Sequence, residues 1–283
     1  MLVELAIGDA YGAGFEYAAD RIVQEHNDLS RYIQHPHHGI PPGCYTDDTQ
    51  MSLAIAEAIV EEDDWTPAVL AQRFVMAFKR DPREGYASRF YEFLLKVQDG
   101  AEFLARIRPT SDKSGAAMRA CPIGVFPTVS EVIDRCRIQA ALTHNTPDGT
   151  NAAVATALMT HYCLYQLGAK AELTDFLCDH VPGDWRSPWQ GKVGGQGMMS
   201  VRAAVTAMQA SNSMSELLKT CVAFTGDVDT VAAIALGAGT HAVEIEPDLP
   251  EHLFTGLENG QFGRAYLQGL DDKLRRKFGL TRQ

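Results

Sequence analysis

The residues best equipped for chemistry lie in two clusters far apart in the chain. Thr46, Asp47, Asp48 and Thr49 stand at the mouth of an apolar segment, within G-C-Y-T-D-D-T-Q-M-S-L-A-I-A-E-A-I over residues 43–59. Asp227, Asp229 and Thr230 open a second segment of the same grammar, T-G-D-V-D-T-V-A-A-I-A-L-G-A-G over residues 225–239. Each cluster is a sound helix start, because hydroxyls and carboxylates cap orphan N–H groups and suit the positive end of the helix dipole. Two carboxylates so close together repel, however, and exceed what a cap requires. Carboxylate and hydroxyl oxygens are ligands for hard cations such as Mg²⁺ or Mn²⁺, and the absence of cysteine ligands nearby disfavours zinc. If the two helix starts meet, four aspartates converge and cannot all stay ionised without cations. A two-metal centre that positions water and substrate oxygens would follow.

The surrounding elements must bring those starts together. Met51, Ile55, Ala58 and Ile59 recur at helical spacing, as do Val231, Ile234 and Ala235, so one face of each following helix is buried. Residues 1–17 read as a helix from the outset, with Leu2, Leu5, Ala6 and Asp9 sharing a face. Gly8, Gly12 and Gly14 within that stretch disfavour a helix by roughly 1 kcal/mol each relative to Ala, which makes sense where another backbone or a ligand comes close. The stretch Glu25–Cys44 reads as a loop. His35, His37 and His38 within it lack the i, i+4 interval of a helical metal site, and no metal role is assigned to them.

Thr66-Pro67 signals a helix to about Arg80, and Ala87–Gln98 carries Phe90, Phe93, Leu94 and Val97 at helical spacing, an aromatic stripe suited to a core. Residues 108–125 pass from a polar loop into small residues resembling a helix start, a form able to hold phosphate on backbone N–H groups. The G-x-x-x-x-G-K-[ST] loop of nucleotide hydrolases is absent. Thr128 and Glu131 form a capping box for a helix through about Leu142. His144 falls in the polar turn before a helix spanning Asn151 to Leu167, and Val181–Met199, with Trp185, Trp189, two prolines and several glycines, reads as irregular. Met199–Ala210, Met214–Phe224 and Gln261–Lys277 complete the helices. Alternating strand patterns are nearly absent. The fold expected is all-α, a single compact multi-helix domain over residues 1–283.

A chain of 283 residues, 46% hydrophobic, is long enough to bury a sizeable core. Its net charge of −11 argues against a nucleic-acid-binding face. The six cysteines are scattered without CxxC pairing and read as reduced core residues. No stretch has the order of a signal peptide and no run is apolar enough to cross a bilayer, so a soluble cytoplasmic protein with no membrane partner is expected.

These motifs together resemble the ADP-ribosylglycohydrolase family, which includes the dinitrogenase reductase-activating glycohydrolase and the ADP-ribosylarginine hydrolases. The resemblance rests on G-D-A-Y-G-A-G-F-E at 8–16, Y-T-D-D-T-Q-M at 45–51, S-G-A-A-M-R at 114–119, L-T-H at 142–144 and G-D-V-D-T-V-A-A-I at 226–234, in the family's order. It implies an all-helical hydrolase using two Mg²⁺ or Mn²⁺ ions to cleave the glycosidic bond between ADP-ribose and an acceptor, foremost a mono-ADP-ribosylated arginine on a protein. Serine-linked, nucleic-acid-linked or O-acetyl-linked ADP-ribose are alternative substrates. A non-catalytic ADP-ribose-binding or crystallin-like relative is an alternative role. The resemblance implies Thr46, Asp47, Asp48, Asp227, Asp229 and Thr230 as metal ligands. It implies Ser114, Gly115, Ala116 and Met118 as a diphosphate-holding turn with His144 nearby. Glu16 would donate or accept the proton, with Asp48 or Asp227 orienting the water. Three places depart from the family's usual pattern. They are T-G-D-V-D-T in place of G-G-D-T-D-T, Ser114 where many members carry Asn, and G-T-H-A-V-E-I-E-P-D after Ala238.

Overall fold

An unbroken run of buried positions in Val228–Gly239 places that helix at the centre of the molecule. A helix apolar on every side has to be surrounded by other elements. The computed structural model describes residues 1–35, 38–62 and 64–280, so Pro36 and His37, within the expected loop, lie outside the described residues.

In chain order the helices are α1 (Leu2–Ala13), α2 (Asp20–His26), α3 (Asp47–Val60), α4 (Pro67–Arg80), α5 (Ser88–Lys96), α6 (Gly100–Arg106) and α7 (Val129–Ala141). They continue as α8 (Pro147–Leu164), α9 (Leu173–His180), α10 (Gly197–Ala210), α11 (Met214–Ala223), α12 (Val228–Gly239), α13 (Glu251–Gly256) and α14 (Arg264–Phe278). Among the described residues only isolated β-bridges occur, and no strand, as an all-α fold requires. The buried apolar side chains form one cluster from α1 to α14. Each fully buried Leu or Ile in it, such as Leu5 and Ile7 on α1, contributes roughly 1.5–3 kcal/mol.

Two helices approach α12 on the side that matters for the site. α1 lies along it so closely that a Cβ on Gly8 would stand 2.5 Å from the Ala232 carbonyl oxygen, and one on Gly12 would stand 2.4 Å from Asp229 Cα. The glycines of the first segment thus admit a neighbouring backbone. α3 packs on both α1 and α12. The N-terminal ends of α3 and α12 are thereby drawn to the same end of α1.

The helix starts follow their capping residues. Thr66 accepts from the Val69 N–H at 3.4 Å, Thr146 from Gly149 at 3.1 Å and Ser213 from Glu216 at 3.2 Å. Thr128 caps α7 through the Glu131 N–H at 3.2 Å, but the Glu131 carboxylate turns to Arg135 at 2.9 Å, so the capping box is only half made. Because Thr146 and Pro147 supply cap and first turn, α8 begins four residues before Asn151. The short helices α2, α6, α9 and α13 have too few turns for a periodic signal; the expected loop begins only after His26. Residues 114–116 and 121–125 form 3₁₀ turns, not an α-helix. Phe90 and Phe93 pack with buried Phe103, consistent with a core role. All six cysteines are free thiols.

Candidate functional site

The expected cap of α3 is replaced by a residue from another helix. Thr46 occupies the N-cap position, yet its side chain makes no cap bond. Instead Asp9, fully buried on α1, takes the Thr46 N–H at 3.0 Å and the Thr49 N–H at 3.0 Å. It also accepts from the Thr46 hydroxyl at 2.7 Å and the Thr49 hydroxyl at 2.6 Å. An acceptor supplied in trans satisfies the orphan donors of the helix. It leaves Asp47 and Asp48 free of capping duty.

The start of α12 is set by strained backbone. Thr225 has φ 62° and Gly226 φ 95°; for a threonine that conformation is unfavourable and held by its surroundings. Val193 clamps it, donating to the Thr225 carbonyl at 2.9 Å and accepting from the Asp227 N–H at 3.1 Å. Tyr17 N–H donates to the Gly226 carbonyl at 2.9 Å, which ties the segment carrying Glu16 to the second cluster. The irregular stretch 181–199 is therefore part of the site's frame.

The result is an acid cluster assembled from three helices. Glu16, Asp227 and Asp229 each offer a carboxylate oxygen within 4.8 Å of the others. Asp47, Asp48, Asp227, Asp229 and Thr230 are all buried. Burial pushes the Asp48 carboxyl well up, and the neighbouring Asp9, Asp47 and Asp227 add to it, with the Thr230 hydroxyl offsetting part. Asp47 is raised by burial and then by Asp9 and Glu16, and Asp229 by burial and then by Glu16, Asp48 and Asp227. Asp227 is pushed up to about 7 by burial and by Glu16, offset by Ser114, Asp229 and Ser200; the Ser200 hydroxyl stands 3.4 Å from its Oδ2. Among the described residues, Asp48 Oδ1 and Asp229 Oδ1 are buried and meet no hydrogen-bond donor. A buried carboxylate oxygen lacking a donor costs several kcal/mol unless a proton or a cation meets it. The donor set, all carboxylate and hydroxyl oxygen, fits a hard divalent cation.

Glu16 stands at the rim of this cluster and is itself held. His35 is buried, its Nδ1 accepts from the His38 N–H at 2.9 Å, and its Nε2 lies 2.9 Å from Glu16 Oε2. With Nδ1 an acceptor, the proton sits on Nε2 and points at the carboxylate. Glu16, His35 and His38 also fall within 4.8 Å of one another. The sequence pattern did not single out His35, because a loop fold, not a helical interval, turns it inward. Asp9 was visible only as a residue on the buried face of α1.

The expected ligand turn is adjacent. Ser114, Gly115 and Ala116 form the first 3₁₀ turn, and Ser114 reaches Asp227. The Ser114 N–H donates to the Gly195 carbonyl at 3.1 Å, and the Met118 N–H to the Ser114 carbonyl at 3.0 Å. Both are thus engaged within the protein, and Met118 is buried. The His144 ring lies against Gly115, its Cε1 3.1 Å from where a Cβ would project. Burial, then Arg119, lowers the His144 imidazole to about 3, so it is neutral near pH 7.

A family model described as ADP-ribosylglycohydrolase matches residues 1–283. Curated relatives include an ADP-ribosylhydrolase ARH3 of Xenopus tropicalis, 32% identical over 146 residues, or 48% of this chain and 41% of that protein. An ARH3 of Bos taurus is 29% identical over 62% of this chain and 52% of its own length. The chain thus spans about half the length of these curated relatives. An ADP-ribosyl-[dinitrogen reductase] glycohydrolase of Rhodospirillum rubrum is 25% identical over 90% of this chain and 87% of its own. A solved structure titled ADP-ribosylglycohydrolase-related protein complex superposes with a TM-score of 0.75 at 23% identity, covering 97% of this chain and 95% of that one. It is a likeness of fold.

Proposed function

The chain belongs to the ADP-ribosylglycohydrolase family, and on that premise we propose that it hydrolyses the glycosidic bond joining ADP-ribose to an acceptor, foremost an arginine on a protein. The observation that carries the reading is the pair of donorless buried oxygens, Asp48 Oδ1 and Asp229 Oδ1, at the meeting point of α1, α3 and α12. A protein acceptor is supported by the glycohydrolase of Rhodospirillum rubrum, whose name specifies an ADP-ribosylated protein and which matches over most of both chains.

Thr46, Asp47, Asp48, Asp227, Asp229 and Thr230 would hold two Mg²⁺ or Mn²⁺ ions, with Asp9 holding Thr46 and Thr49 on either side of Asp47 and Asp48. Bound there, the ions supply charge neutralisation and Lewis acidity toward substrate hydroxyls and water. The chain's own residues do the rest. Breaking the bond develops positive charge on the ribose, and the carboxylates stabilise that charge. Glu16, held by His35 at the rim, takes the proton of the water that attacks the anomeric carbon as the bond to the arginine nitrogen breaks, and returns it to the departing guanidine, while Asp227 and Asp48 orient that water. Ser114, Gly115, Ala116 and His144 receive the diphosphate, and the Met118 N–H closes the turn on the Ser114 carbonyl. Neutral donors suit that task in an acidic site.

The test is to incubate the protein, with Mg²⁺ or Mn²⁺ and separately with EDTA, on arginine-linked, serine-linked, base-linked and O-acetyl-linked ADP-ribose. Intact ADP-ribose should appear from the arginine conjugate, and only with the cation. Release of AMP would reassign the chain to phosphohydrolysis, and ADP-ribose from no conjugate would overturn the reading.

A further inference from the structure

The largest fully buried side chain of the protein is an arginine, Arg119, and among the described residues no carboxylate pairs with it. Burial lowers its guanidinium to about 10, so at neutral pH it is a cation that can only donate. It donates through Nε to Gln139 Oε1 at 2.7 Å, and through one terminal nitrogen to the Gln139 carbonyl at 3.1 Å and the Thr143 hydroxyl at 2.9 Å. Its plane lies over the Phe74 ring at 4.5 Å. Gln139 passes the contact on, donating from Nε2 to the Ala116 carbonyl at 3.1 Å. A cation buried this deeply is unfavourable unless its donors are met, and here Gln139, Thr143 and the Phe74 ring meet them.

One assignment of these bonds gives the Thr143 hydroxyl hydrogen an acceptor. Thr143 Oγ1 accepts a hydrogen bond from Arg119 and lies 2.6 Å from His144 Nδ1. Thr143 is buried, and among the described residues its hydroxyl hydrogen meets no acceptor other than that ring nitrogen. A hydroxyl has one hydrogen to give. Donation into Nδ1 makes that atom an acceptor and places the imidazole proton on Nε2, since the bond at one ring nitrogen sets the state of the other. Nε2 is on the edge of the ring facing Gly115, 3.4 Å from where a Cβ at that position would project.

We propose that Arg119 is a positioning residue which, through the Thr143 hydroxyl, fixes His144 as the Nε2–H tautomer and so presents a neutral, pre-oriented donor to the ligand beside Gly115. The statement that this ligand is the ADP-ribose diphosphate rests on the function proposed above; the relay itself does not. A neutral donor meets an anion without adding a titrating charge beside the acid cluster. Gln139 couples the two partners, because the same side chain that receives the arginine also anchors the turn carrying Gly115.

The experiment reads the tautomer directly. In the full chain labelled with ¹⁵N-histidine, with the His144 signal assigned by its loss in His144→Gln, imidazole ¹⁵N shifts distinguish a bare from a protonated nitrogen. The expected wild-type result is a bare Nδ1 and a protonated Nε2. Thr143→Val, near-isosteric but without the hydroxyl, should give mixed tautomers and weaken ADP-ribose binding, followed by calorimetry, by about tenfold, the loss of one hydrogen bond. Thr143→Ser should restore both. A protonated Nδ1 in the wild type, or an unchanged tautomer in Thr143→Val, would overturn the relay. If wild type binds no ADP-ribose while the tautomer shifts as stated, the relay stands and the assigned ligand falls. Thr143→Val spares Arg119, so the measurement does not depend on a fold that tolerates loss of the buried cation.

Discussion

Asp9 caps the helix that Thr46 begins. The carboxylate crosses from α1 to accept the backbone N–H and the hydroxyl of Thr46, and the same two groups of Thr49. One buried carboxylate therefore does the capping, holds α1 to α3 and takes up the hydroxyl hydrogen of Thr46. Asp9→Asn preserves shape but places an amide donor against donors, so it should lose about 2 kcal/mol, the scale of a cap and of a buried donor left unmet. In a domain of this size that lowers Tm by about 3–4 °C. Mn²⁺ affinity should fall with it, measured by calorimetry. An unchanged Tm and affinity would mean that the helix start is set by other contacts.

The raised aspartates make a signed prediction about cation and pH. The folded state holds protons on Asp48, Asp229 and Asp227, the last pushed up to about 7, that an unfolded chain has released above about pH 4. A group raised in the folded state contributes stability below its unfolded value, and that contribution is lost as pH rises through its folded value. Cation binding must displace those protons, so the gain in Tm from saturating Mn²⁺ should be small near pH 5.5 and grow toward pH 8. Buried His144 and His241, both lowered to about 3, affect the samples with and without Mn²⁺ alike and cancel in the difference. Thermal scans in Mn²⁺ and in EDTA across that range check it. A gap that stays constant would show that the aspartates are ionised without the ion.

The sequence discloses the two acid clusters because both sit on helices whose apolar faces are periodic, and each opens on two aspartates followed by a threonine, Asp47-Asp48-Thr49 and Asp227-Val228-Asp229-Thr230. It also discloses the tight seam of α1, since glycines in a helix need a reason. It does not disclose which donor each carboxylate meets. Asp9 lies 37 residues from Thr46, and nothing local marks a cap supplied from another helix. His35 was obscured for the opposite reason: its neighbours form a histidine-rich loop in which no periodicity ranks one ring above another. Arg119 lay inside a quoted motif, yet the burial of an unpaired cation is a property of packing and leaves no trace in spacing.

His35 and Glu16 give a third prediction. The imidazole holds a carboxylate that has two acidic neighbours within 4.8 Å and would otherwise be driven outward. His35→Ala should lower kcat by on the order of 10–100-fold, the range of outer-shell partners of functional carboxylates, with KM little changed. His35→Gln offers an amide donor of similar reach and should recover most of the rate, whereas Glu16→Gln should not. Steady-state kinetics on the three variants decides it. Equal losses in His35→Ala and His35→Gln would indicate a role in packing, not in holding Glu16.

Gly12 gives the fourth, because it couples the fold to the acid cluster through a single atom. A methyl group there would stand 2.4 Å from Asp229 Cα and 2.8 Å from its backbone nitrogen, both rigid backbone atoms at the head of α12. Nothing flexible can yield, so Gly12→Ala must separate α1 from α12. Overpacking of this kind loses about 1–3 kcal/mol, partly offset by the better helix propensity of alanine, about 1 kcal/mol. The net loss of stability is therefore modest, while the shift of Asp229 relative to Glu16 and Asp48 is not. A displacement near 1 Å within a catalytic group can lower the rate on the order of 100-fold. Gly12→Ala should consequently stay folded by circular dichroism, lose a few degrees in Tm and lose nearly all turnover and Mn²⁺ affinity. Gly269→Ala on α14, where an added Cβ meets nothing within 4 Å, is the matched control and should leave both properties as they are. Full activity in Gly12→Ala would mean that the seam between α1 and α12 adjusts without moving the carboxylates.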